Sequence, residues 1–146
     1  MDYIFDNILA ILAATAAAFA FGAAWYGALG KPWMAAAGLS EADIKRPDGG
    51  TSPLPFIIAF LMEFWMAAIL AGALILAPVE AGGWTVALGT AFILWIGFVL
   101  PTLIVNHRYQ MAPWSLTVID GGHWLGVLVV MATALRLVGL DAAPVA

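Results

Sequence analysis

The sequence predicts an all-α fold, a polytopic transmembrane four-helix bundle with short loops, and three observations predict it. Hydrophobic residues make up 64% of the 146 positions, where a soluble domain has roughly 45–50%. Charged residues make up 10%, where roughly 25% is usual. The apolar residues are also gathered into four segments, each close to the ~20 residues needed to cross a bilayer core. Mean hydropathy is +1.02. Five basic and nine acidic side chains cannot cover the surface of a soluble protein this small. A soluble enzyme is therefore excluded. A net charge of −4 offers no basic surface for a phosphate backbone, so no nucleic-acid partner is expected. The chain has no cysteine, which excludes disulfides, thiolate metal sites and cysteine nucleophiles.

The first span is expected at about residues 7–29. The residues before it, Met1-Asp2-Tyr3-Ile4-Phe5-Asp6, carry two acids and no Lys or Arg. A cleaved signal needs a positive n-region, so this stretch is expected to be retained despite Ala16-Ala17-Ala18. Ala14, Ala18 and Gly22 recur every four residues, a small-residue stripe of the kind that lets membrane helices approach closely. Gly30-Lys31-Pro32 is expected to end the span, because proline removes a helical donor.

A loop over residues 30–54 follows, the largest polar segment. Lys31-Pro32-Trp33-Met34 and the alanines after it suggest a separate short helix lying in the membrane interface. Ser40-Glu41-Ala42-Asp43 resembles a capping box, and Pro47-Asp48-Gly49-Gly50 marks a break. About 25 residues are too few for an independent catalytic domain.

The second span is expected at about residues 55–76, closed by Ala77-Pro78. The third, at about residues 84–105, has Gly89 and Gly97 on roughly one face and ends at Asn106-His107-Arg108. Pro101 should kink it and free the Gly97 carbonyl. The fourth, at about residues 116–138, contains Gly122 and Gly126. Together the small-residue stripes predict one compact bundle, with a stripe left over for a partner.

Orientation follows from the basic residues of the short loops. Lys31, Lys45, Arg46 and Arg108 fall on one side and only Arg136 on the other. This places the two basic loops in the cytoplasm, both termini outside it, and the protein in a bacterial cytoplasmic (inner) membrane as a multi-pass component. Trp25, Tyr26, Trp33, Tyr109 and Trp114 gather at the cytoplasmic boundary and are expected to act as interface anchors.

Three ionisable side chains fall inside the spans. Glu63 lies roughly 12 Å below the start of span two, and Asp120 and His123 about 6 and 10 Å inside span four. Asp120 and His123 are three residues apart and share a helix face. With Asn106 they form a candidate buried polar cluster in the cytoplasmic half. Intramembrane ionisable groups mark proton or ligand sites by default. The structural alternative is a satisfied clasp, with Glu63 paired to His123, or Asp120 capping the first turn of span four. No metal site, catalytic residue or cofactor is predicted. His123, beside Gly122, could ligate a pigment or haem, a reading with only a lone histidine behind it.

The stretch Ala23-Ala24-Trp25-Tyr26-Gly27-Ala28-Leu29-Gly30-Lys31-Pro32-Trp33-Met34 resembles the hallmark of the domain of unknown function 1761 family. Leu94-Trp95-Ile96-Gly97-Phe98 within residues 89–101, followed by Asn106, Trp114 and Gly121-Gly122, is similar to the family's later part. The resemblance covers most of the chain. It implies a bacterial four-helix membrane protein of unsettled activity and lends no catalytic residues. It extends to neither Glu63 nor His123, so their role is read from this chain alone. The expected function is a non-enzymatic accessory or interaction subunit of a membrane complex or a homo-oligomer in the lipid bilayer. The alternative is a small proton-coupled transporter using Glu63, Asp120 and His123, and a membrane enzyme acting on a lipid or quinone comes third.

Overall fold

A computed structural model describes residues 2–46 and 49–141. Helix α1 (Tyr3–Asp6) leads into α2 (Ile8–Ala37), and a single turn, α3 (Glu41–Ile44), precedes α4 (Leu54–Ile75). After a 3-10 turn at Val79–Ala81 come α5 (Gly83–Leu94), a π-helical turn (Trp95–Val99) and α6 (Leu100–Tyr109), then α7 (Trp114–Val138). The α5–π–α6 run forms one rod, so four helices are long and apolar enough to cross a membrane.

The predicted end of the first span is corrected. Helix α2 continues through Gly30, Lys31 and Pro32 to Ala37, absorbing the expected separate interfacial helix. Thirty residues make a rod of about 45 Å, longer than the ~30 Å hydrocarbon core. Pro32 leaves the Ala28 carbonyl without its helical donor, but Ala28 and Lys31 are exposed, where polar surroundings can solvate it. The helix stops two turns later in a Schellman motif. Gly38 turns left-handed at φ 69°, and the Leu39 amide reaches the Met34 carbonyl at 2.9 Å.

The capping box forms as expected: the Ser40 amide donates to Asp43 Oδ2 at 2.8 Å and the Ser40 hydroxyl to the same oxygen at 2.5 Å. These bonds, hydroxyl first, hold the exposed Asp43 carboxyl below the ordinary aspartate range. Gly49 and Gly50 follow an isolated bridge partner, Lys45 opposite Thr51. Pro47 and Asp48, the predicted break, lie outside the described residues.

Helices α2 and α7 make the most extensive pairing, with α4 against α2 and α5 against α7. The pairing depends on small residues. Ala14, Ala18 and Gly22 of α2 are buried. On α7 the Phe21 ring lies where Gly126 would carry a Cβ, and the Trp25 ring sits 3.1 Å from the Cβ position of Gly122. The core beside this seam is apolar and fully enclosed: Ile11, Ala67, Leu70, Ala71, Val127, Met131 and Leu135. At the far end, Asn7 joins the helix ends by accepting from the Asp141 amide at 2.7 Å and donating to the Asp141 carbonyl at 3.1 Å.

The third span is peripheral. Among its described residues only Ala87, Ala91 and His107 are buried. Gly89 and Gly97 have nothing within 4 Å of their Cβ positions, so the packing expected of them is not made within this chain. The disturbance predicted at Pro101 takes a specific form, a π-turn in which the Leu100 amide bonds the Trp95 carbonyl five residues back. Such a turn is a recognised way for a helix to absorb a local break in its ladder. The Trp95 indole then donates to the Gly121 carbonyl at 2.8 Å, fastening the rod to α7.

Candidate functional site

The predicted site residues separate into two groups at different depths. The outer group centres on Asp120, on the first turns of α7. Its Oδ1 accepts from the Tyr26 hydroxyl at 3.1 Å and from the Trp33 indole at 3.0 Å. Its Oδ2 lies 3.6 Å from His107 Nε2. The opposite ring nitrogen of His107 is 3.0 Å from Thr117 Oγ1, which also accepts from Arg108 Nη2 at 3.1 Å. With that lone pair engaged, the Thr117 hydroxyl is free to donate to His107 Nδ1. In the tautomer where it does, the imidazole proton is on Nε2, facing Asp120. Arg108 also stacks over the exposed Trp114 ring, with its guanidinium carbon 4.0 Å from the centroid.

Asp120 therefore does not cap α7: the N-cap is Pro113, with no side-chain bond. Asn106 does not enter the group either, since it is exposed while its neighbour His107 is buried. Tyr26 and Trp33, expected as interface anchors, instead spend their polar atoms on Asp120. Trp114 remains exposed at the boundary.

The inner group comprises Glu63 of α4 and His123 of α7, which meet at Gly22 of α2, and Trp25, three residues further along α2. A methyl group at Gly22 would be 3.1 Å from His123 Nε2 and 3.9 Å from Glu63 Oε1. The shared depth read from the sequence is realised. The clasp is not: no hydrogen bond joins Glu63 to His123. Glu63 Oε2, His123 Nδ1 and Trp25 Nε1 are all buried without a partner, and Glu63 and His123 are only 3% and 5% exposed. Rings surround the imidazole instead, with Tyr26 at 4.8 Å, Trp124 edge-on at 5.0 Å and Phe21 stacked at 6.2 Å between centroids. Trp25 packs against Gly122, beside His123.

Tyr26 connects the groups, with its ring on His123 and its hydroxyl on Asp120. The sequence held a signal for this. Tyr26 and Trp33 are seven residues apart, two turns of one helix face, once α2 is read through Pro32.

Among known proteins, no curated protein and no solved structure gives a significant match. A family model described as "Protein of unknown function (DUF1761)" matches residues 9–136, which include all four membrane-spanning helices nearly entire and both polar groups. The chain belongs to this family.

Proposed function

We propose that this protein is a small proton-coupled carrier of the bacterial cytoplasmic membrane, with Glu63 and His123 as its proton- or ligand-binding groups. One observation carries the reading: Glu63 and His123 meet at Gly22 in the bundle interior, and Glu63 Oε2 and His123 Nδ1 are buried there with no partner among the described residues. Leaving buried polar groups unsatisfied costs about 1–3 kcal/mol each. A purely structural clasp would have paired them. A carboxyl and an imidazole beside one another can hold, exchange or release a proton, and Trp25 Nε1 adds a donor for a polar ligand. The basic loops face the cytoplasm in this proposal, following the distribution of Lys and Arg.

The test is proton entry into proteoliposomes containing a trapped pH dye, driven by an imposed membrane potential. The wild-type protein is expected to acidify the lumen, and Glu63→Gln, incorporated to the same level, to abolish the signal. An unchanged rate in Glu63→Gln overturns the proposal.

The accessory-subunit reading is second, favoured by the third span, whose Gly89 and Gly97 are left open. A wild-type protein that moves no protons would transfer the case to it. Native mass spectrometry of protein from its own membrane should then show stoichiometric foreign subunits.

A further inference from the structure

Toward the two ends of the bundle the inner group has unequal surroundings. Toward the Asn7–Asp141 end lie the fully enclosed side chains of Ile11, Ala14, Leu70, Val127, Met131 and Leu135. These come from all three helices that carry the group, and Thr15, a polar side chain enclosed with them, spends its hydroxyl on the Ile11 carbonyl at 2.8 Å. Toward the basic-loop end lies an aromatic layer. The Tyr26 ring lies over His123, and just beyond it Trp33 meets Tyr26 edge-on at 5.8 Å between centroids. On the far side of this layer is a cleft of about 540 Å³ whose walls include Trp33, His107, Gln110 and Asp120.

Both rings are held by a single oxygen. Asp120 Oδ1 accepts from Tyr26 and Trp33 together, and the second carboxylate oxygen faces His107. Asp120 belongs to α7, whereas both rings ride on the C-terminal half of α2. That part of α2 runs past Pro32, where one backbone hydrogen bond is missing, and Gly27 and Gly30 have nothing within 4 Å of their Cβ positions. It is the part of α2 least constrained by neighbours.

We infer that Tyr26 and Trp33 form a gate latched by Asp120, which gives the Glu63–His123 pair access from the basic-loop end alone, through the cleft. This inference rests on the reading of Glu63 and His123 as a binding site and adds the direction from which that site is served. Tyr26 and Trp33 are positioning residues here. Loss of either hydrogen bond to Asp120 frees a ring to swing toward the cleft and lets water reach the pair. His107 lines the cleft beside Asp120, and Arg108 bonds Thr117 next to it.

The absence of cysteine makes a direct test clean. A single Glu63→Cys reporter in sealed vesicles of defined orientation is exposed to a membrane-impermeant cationic methanethiosulfonate, applied to each face in turn. The same reporter is then combined with Tyr26→Phe, which keeps the ring and removes the hydroxyl, and separately with Asp120→Ala. Elution as a single species in size-exclusion chromatography confirms folding of each. Modification is expected only from the basic-loop face, about tenfold faster in the Tyr26→Phe background and faster again with Asp120→Ala. Should Asp120→Ala not fold, the Tyr26→Phe comparison decides alone. Labelling from the opposite face, equal rates in all backgrounds, or no labelling in any would overturn the gate. Proton flux in Glu63→Gln is read independently. Lost flux with equal labelling rates sinks the gate alone, and retained flux sinks the carrier reading.

Discussion

The two polar groups have nearly the same ingredients and opposite fates. Each contains one carboxylate, one histidine and indole or phenol side chains from α2. Around Asp120 most components find a partner: two donors on Oδ1, His107 beside Oδ2, and Thr117 shared between His107 and Arg108, with Arg108 Nε the buried atom left over. Around Glu63 the same kinds of group stand side by side with atoms unbonded. The difference lies in who reaches in. At the basic-loop end, α2 and α6 both overrun the membrane-spanning length and bring Trp33, His107 and Arg108. In the interior, Gly22 has no side chain, Phe21 has no polar atom, and the Tyr26 hydroxyl is spent on Asp120. A satisfied network holds a structure together, and an unsatisfied one inside a membrane marks a place kept for something else.

Replacing the two acids should therefore have effects of opposite sign. Asp120→Ala leaves the Tyr26 hydroxyl and the Trp33 indole without their acceptor and removes the carboxylate facing His107. It should destabilise the protein by about 3–5 kcal/mol, measured by unfolding in mixed micelles. A loss below the scatter of surface mutations would break the contrast. Glu63→Leu removes an unbonded polar group and should stabilise by about 1–3 kcal/mol in the same assay while proton flux disappears. Destabilisation there would mean that Glu63 has a structural partner after all.

A smaller effect is expected at the turn that presents His107. Two Schellman ends frame the outer group, one at Gly38 and one at Met111. The Ala112 amide bonds the His107 carbonyl at 2.9 Å, but the left-handed residue is Met111, at φ 55°, where glycine is the unstrained choice. Met111→Gly should stabilise by about 1 kcal/mol, seen as a higher midpoint with unchanged labelling of the Glu63→Cys reporter. The smallest effect concerns α3. Asp43 titrates below the ordinary range because the Ser40 hydroxyl and amide bind its charged form. Its contribution is fully present above the ordinary aspartate pKa and is lost as pH falls through the lowered one. The Ser40 amide resonance should follow that titration, and Ser40→Ala should return Asp43 toward the ordinary value.

Much of the architecture was legible in residue order. Composition, the four apolar segments, the Ser40–Asp43 box and the Ala14–Ala18–Gly22 stripe depend on local chemistry or on the bilayer's thickness, and both can be read along a chain. The common depth of Glu63 and His123 followed from rise per residue alone. Other features depend on where separate helices meet, and only the tertiary structure decided them. Pro32 marked a helix end by local rule, yet α2 continues, because Trp33 beyond it finds Asp120 on another helix and the orphaned carbonyl lies at an exposed turn. Asn106 and His107 are neighbours in sequence. The π-turn at Trp95–Val99 takes up an extra residue and rotates everything after it, so His107 faces inward and Asn106 outward. The pairing of Asp120 with His107 follows from that rotation, and the isolation of Glu63 from His123 from side-chain direction. Hydropathy and spacing set which segments enter the membrane; which polar groups find partners there is a matter of three-dimensional reach.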